Sequence, residues 1–220
     1  MKIQPELRLT GTEHWVTIVL FICLLLLVWV KAAYPKKLPL LVREVFTGEL
    51  PVKEKSITPP AVVLFIIFIC CLTILILRIL PFFLKKPIEN FDEEFFIIGL
   101  FLLVFYAAKT VLLLLLGVIF DEQSHAWEYI TEVYVFAHFF AVLLLPLVAI
   151  MVYAYDIDHK VLGEIILSIL GLLLVYRTIK MFILMTNKGL KVMYLFLYIC
   201  ALEIVPLALF IKFGLLNYLK

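Results

Sequence analysis

Charge is what this chain has least of. Asp, Glu, Lys and Arg make up 16% of 220 residues, against about a quarter in a soluble domain, while hydrophobic residues reach 65% against about half. That balance excludes an ordinary soluble globular domain and indicates an integral membrane protein. Basic residues outnumber acidic ones by only 19 to 17 and fall in short connecting segments rather than along one face, which excludes a nucleic-acid partner. Cysteine is sparse too: Cys23, Cys70, Cys71 and Cys200 all lie in apolar stretches, where a thiol behaves as a small hydrophobe. Their spacing suits neither a disulfide framework nor a metal site. Missing as well are Gly-x-Ser-x-Gly, His-Glu-x-x-His and paired aspartates within apolar segments. Asp156, Asp158 and His159 read as a solvated helix end rather than a cation site. The chain is therefore expected to be non-enzymatic, without cofactor or metal.

What is present is length of apolar sequence. A spanning helix needs about 20 mainly apolar residues, and six windows meet that condition: 15–33, 60–83, 95–120, 133–155, 161–185 and 192–215. Trp15, Trp29, Tyr34, Trp127, Tyr129 and Tyr155 cluster at the predicted ends, as aromatic belts do. The first window is expected to stay as a helix rather than be cleaved as a signal, because polar residues including Glu6 and Glu13 precede it and Lys31 stands where a cleavage site should begin. In the longest connection, Leu38, Leu40, Leu41, Val45 and Phe46 alternate with Lys36, Lys37, Arg43 and Glu44, the pattern of a short interfacial helix over 38–47. Pro39 falls in its first turn, where proline is tolerated, and Gly48 and Pro51 end it. The expected fold class is all-α: an integral membrane bundle of six transmembrane helices with a short interfacial helix after the first, forming one polytopic domain over 1–220.

Orientation follows from the basic residues. The first connection holds Lys31, Lys36, Lys37, Arg43, Lys53 and Lys55, against Lys2 and Arg8 before the first helix. This places that connection in the cytoplasm and both termini in the periplasm. Lys85 and Lys86, and a third connection with acids but no Lys or Arg, run against that assignment.

The even-numbered spans each carry a late proline: Pro81, Pro146 and Pro206. Proline frees the carbonyl four residues earlier, here those of Leu77, Val142 and Leu202, and in lipid that group needs another partner. Beside Leu202 stands Glu203, near the centre of the sixth span. A charge at that depth costs about 3 kcal/mol or more, so it is expected to turn inward and find a partner. Lys109, about fourteen residues into the third span, is too deep to snorkel easily, and Tyr106 shares its face. Lys109, Arg177 and Glu203 are therefore read as a buried charge network, with a Lys109–Glu203 pair favoured and Tyr106, His138, Cys200, Pro146 and Pro206 in support. Lys180 and Arg78 lie close enough to helix ends to snorkel. His138, on one face with Tyr134, Ala141 and Leu145, reads as a helix-packing hydrogen-bond group.

The run Leu197 to Leu207, with Cys200, Glu203 and Pro206, followed by Ile211 and Lys212, resembles the closing motif of a Bacteroidetes family of six-helix inner-membrane proteins known only as a domain of unknown function. Lys109, Gly117, Phe120, the sequence Leu145-Pro146-Leu147 and Arg177 extend the resemblance over most of the chain. It implies an inner-membrane location in a Gram-negative cell and no particular reaction. Two functions stand open. One is a structural or accessory subunit of a cell-envelope complex, with protein partners or further copies of itself in the bilayer. The other is a small proton- or ion-coupled transporter with Glu203 as its titrating group.

Overall fold

The computed structural model describes residues 13–47, 58–84, 91–119, 123–153 and 159–187, and among these every regular element is a helix. In chain order they are α1 (Glu13–Ala33), α2 (Lys37–Thr47), α3 (Pro59–Leu84), α4 (Phe91–Ile119), α5 (Gln123–Tyr153) and α6 (His159–Asn187). All but α2 are long and apolar enough to cross a membrane, with mean hydropathy from 1.9 to 3.1. The sixth expected span, 192–215, lies outside the described residues.

Local chemistry sets the helix starts. Thr58 precedes α3 and its carbonyl accepts the amides of Ala61 at 2.9 Å and Val62 at 3.3 Å. Pro59 occupies the first helical position, where its missing N–H is no loss. Asp92, Glu93 and Glu94 open α4 and complement the positive end of its dipole. The start of α5 at Gln123 is earlier than the expected opening at 133, because Ser124, Glu128, Thr131 and Glu132 make these turns read as a connection. These polar residues are nonetheless helical, and this extension carries part of the site below.

Consecutive spans run antiparallel. Cys23 of α1 meets Cys70 and Cys71 of α3 in the core, and all three thiols are free. Arg78 lies over Phe91, Thr73 beside Gly99, and Phe65 and Phe68 against Tyr106, so α4 descends along α3. Thr110 of α4 shares a 3.1 Å hydrogen bond with the hydroxyl of Tyr134 on α5, and Gly163 of α6 faces Met151 near the end of α5. More than half of α3 and of α5 is buried, whereas α1, α4 and α6 bury about a fifth of their length each. The two central helices share one direction, Phe65 stacking on Tyr134 near one end and Ile79 and Met151 flanking Gly163 near the other.

Hydroxyls within the apolar helices are satisfied locally. Thr73, Thr110, Thr131, Ser168, Thr178 and Thr186 each donate to the carbonyl four residues earlier at 2.7 to 2.9 Å. In a medium without water this back-bonding removes the penalty of a bare donor. Helices α3 and α5 also continue through Pro81 and Pro146, and the Pro146 side chain is exposed on the outer surface.

On α5 two small residues, Ala137 and Ala141, lie one turn apart in the hydrophobic core at 3% and 0% exposure, where close helix approach has room for little else. Replacing Ala141 with Leu should overpack this face and destabilise the detergent-solubilised protein by about 1 to 3 kcal/mol. Leu100→Val, on the outer face of α4, should shift stability by less than about 0.5 kcal/mol. Equal effects of the two in a denaturing-detergent titration would contradict this packing.

Candidate functional site

An unusual concentration of charge lies where α2, α5 and α6 meet. Glu44 of α2, Glu132 of α5 and Arg177 of α6 are buried, at 8%, 1% and 7% exposure. Lys180, one turn beyond Arg177, joins them with its side chain 12% exposed. Among the described residues, two acids and two bases balance here, which suits a low-dielectric interior where an unbalanced charge is strongly disfavoured.

The centre of this group is the Lys180 ammonium. It donates to the backbone carbonyl of Glu44 at 2.8 Å and lies 3.6 Å from Glu132 Oε2. The last four carbonyls of a helix have no partner within it, and in α2 these belong to Glu44 through Thr47. Lys180 therefore caps α2 from outside, placing a cation at the negative end of the helix dipole. Beside it the Tyr176 hydroxyl donates to the next carbonyl, that of Val45, at 3.4 Å. Two side chains of α6 thus hold two orphan acceptors of α2.

Aromatic rings fill the space around the cations. Phe136, one turn after Glu132 and 1% exposed, has the Lys180 ammonium 5.3 Å and the Arg177 guanidinium 5.8 Å from its ring centroid. Both lie within cation–π range of a desolvated ring. Phe46 of α2 stacks edge-on against Phe139 and tilts over Tyr176, so aromatic contacts surround the polar junction. Chemically the arrangement is a clamp: one ammonium bridges a helix end, a carboxylate and a ring, and thereby ties three helices.

Several expected residues sit elsewhere or are placed differently. Arg177 is buried, with its guanidinium over the Phe136 ring. Lys180 does not snorkel to a headgroup but turns inward to Glu44 and Glu132. Arg78 lies 6.0 Å over the Phe91 ring. Lys109 is half-buried on α4, next to Thr110, and the Tyr106 ring packs against Phe65 and Phe68. His138 is buried on α5 with its ring 6.4 Å from Tyr134 and a hydrogen bond to the backbone of Ala61 at the start of α3. Cys200, Glu203 and Pro206, and with them the expected Lys109–Glu203 contact, lie outside the described residues. Sequence reasoning missed Glu132 and Glu44. A signal for Glu132 existed: continuing the helix of α5 upstream puts Glu132, Phe136 and Phe139 on one face, at spacings of four and three.

The described chain is thus an all-helical, multi-pass membrane-embedded protein with a charged clamp inside the bundle. A family model described as a domain of unknown function, DUF4271, matches residues 16–213, and the chain belongs to that family. No curated protein and no solved structure matches it.

Removing Lys180 as Lys180→Met should take the ammonium away from the buried Glu132 carboxylate and cost about 3 to 5 kcal/mol. Adding Glu132→Gln in the same chain should recover part of that loss, giving a double-mutant coupling above about 1 kcal/mol. Simple additivity in a detergent unfolding titration would show that the two groups are not coupled.

Proposed function

We propose that this protein is a non-enzymatic multi-pass protein of the cell inner membrane that serves as a structural or accessory subunit of an envelope complex. The observation carrying this reading is the double engagement of Lys180, 2.8 Å from one helix-end carbonyl and 3.6 Å from a buried carboxylate. A cation held so tightly fixes helices in place, which is the task of a scaffold. Broad apolar faces on α4, with Phe96, Leu100 and Val111 exposed, are available to lipid and to the helices of partners or further copies. The basic first connection faces the cytoplasm and both termini the periplasm, by the charge rule, and a Bacteroidetes origin fits the closing motif. In this reading Glu203 turns into the bundle and pairs with Lys109, a second fixed contact beside the Lys180 clamp.

A second reading, a small proton- or ion-coupled transporter, draws on one observation: Glu132 is a 1% exposed carboxylate with an ammonium counter-ion, the chemistry a relay uses. Glu203 would be its companion titrating group.

Mild-detergent purification of the tagged protein from its native membrane should yield a partner at fixed stoichiometry, and Glu203→Gln should lower the abundance of that assembly without a separate flux defect. Recovery of the chain alone as a monomer would contradict the subunit reading. Loss of proton or ion flux in reconstituted vesicles, with Glu203→Gln abundance intact, would establish the transporter instead.

A further inference from the structure

Between Trp29 and Thr47 the chain carries four basic residues, Lys31, Lys36, Lys37 and Arg43, and a single acid, Glu44. The fold sorts them. Glu44 is buried at 8%, while Lys31, Lys36 and Arg43 are exposed and Lys37 is half-buried. The chain turns from α1 into α2 within three residues, held by the Tyr34 amide on the Val30 carbonyl at 2.9 Å and the Lys37 amide on the Tyr34 carbonyl at 3.0 Å. Among the described residues of 29–47, the outer surface of this elbow therefore presents cations, and its single acid is buried.

Helix α2 is two-faced in a way its composition alone leaves undecided. Leu41, Glu44 and Val45 are buried and Leu38 half-buried, so this stripe faces the bundle. Pro39, Val42, Arg43 and Phe46, at spacings of three, one and three, form the exposed stripe, with Phe46 at its edge also touching Phe139 and Tyr176. Val42 and Phe46 are 45% and 60% exposed, an apolar strip with a guanidinium beside it. At the end of α1, Trp29 and Tyr34 stack edge-on at 6.2 Å and remain 46% and 38% exposed, as interfacial ring pairs do. An apolar strip, aromatic rings and several cations at the end of a spanning helix are the groups that suit the layers of a bilayer boundary: acyl chain, glycerol level and phosphate.

We propose that the α1–α2 elbow is a binding site for anionic phospholipid headgroups, with Lys31, Lys36 and Arg43 contacting phosphate and Val42 and Phe46 seated at the acyl boundary. Charge complementarity selects the occupant: basic residues beside a spanning helix attract anionic lipid, each contributing near the surface and losing effect with salt. The site is preformed. The inner face of α2 is packed in the core and its C-terminal carbonyls are capped by Lys180 and Tyr176, so the headgroup meets cations already in place rather than ordering a free helix. A bound headgroup would consequently bear on α6 through the same clamp.

The test uses the full chain with Trp15→Phe and Trp127→Phe, which leaves Trp29 as its one tryptophan, reconstituted in bilayers containing phosphatidylglycerol or phosphatidylcholine with brominated acyl chains. Quenching of Trp29 should show phosphatidylglycerol associating about fivefold more strongly or better at low salt. The preference should fall towards one in high salt and in the Lys31→Ser, Lys36→Ser, Arg43→Ser variant, and survive in Lys31→Arg, Lys36→Arg. Equal quenching by the two lipids, or an unchanged preference in the serine variant, would overturn the assignment. If the tryptophan replacements prevent folding, native mass spectrometry of the otherwise unaltered protein decides: it should retain phosphatidylglycerol that the serine variant has lost, and equal retention would overturn the proposal.

Discussion

The ammonium of Lys180 is the point on which the described architecture turns. A lysine in an apolar helix of this kind has two ways to satisfy its charge: reach outward to headgroups or turn inward to acceptors. Inside the bundle it finds an acceptor that no apolar helix can supply for itself, the open C-terminal carbonyls of α2, and a buried carboxylate on α5. Each partner compensates the other. Without the cation, Glu132 would lose its ammonium neighbour and the Glu44 carbonyl the donor that caps it; without them, the cation would be drawn outward. The three helices therefore hold one another through groups that are individually unfavourable in the interior.

Around that junction the described helices are held mainly by packing. Apolar side chains gain little from associating in lipid, which solvates them as well as a neighbouring helix does, so association depends on close fit and on polar contacts. The central pair α3 and α5 supplies the fit, with Ala137 and Ala141 admitting neighbours and Phe65, Phe68, Tyr106 and Tyr134 interlocking across three helices. The 3.1 Å bond between Thr110 and Tyr134 ties α4 to α5 as Lys180 ties α2 and α6 to it. Helix α5 is thus the common partner of both polar ties, and its early start at Gln123 makes the second one possible.

How far the sequence disclosed this depended on the kind of physics involved. Length and apolarity are summed over twenty residues, so the five described spans were legible and only their ends shifted. The amphipathic pattern of 38–47 announced α2, with Pro39 in its first turn, but periodicity defines two faces without saying what each one meets. Leu41 and Val45 look the same whether they face lipid or core. Glu132 was hidden because polar neighbours such as Glu128 and Thr131 make the first turns of α5 resemble a connection. Lys180 was misjudged because distance from a helix end measures the reach to water and not the direction in which a side chain points. Arg177 lies deeper along its span and is buried beside Phe136. Glu203, the most conspicuous residue by the same reasoning, falls beyond the described helices.

The Lys180 clamp makes α2 a fixed part of the bundle rather than a helix resting loosely on the membrane surface. Spin labels at Val42 on α2 and Ile183 on α6, both on outer faces, report this directly when the four native cysteines are replaced by alanine. Pulsed electron–electron resonance in lipid should give a single narrow distance distribution, which Lys180→Met broadens and lengthens. A broad distribution in the parent, or one that Lys180→Met leaves unchanged, would contradict the clamp.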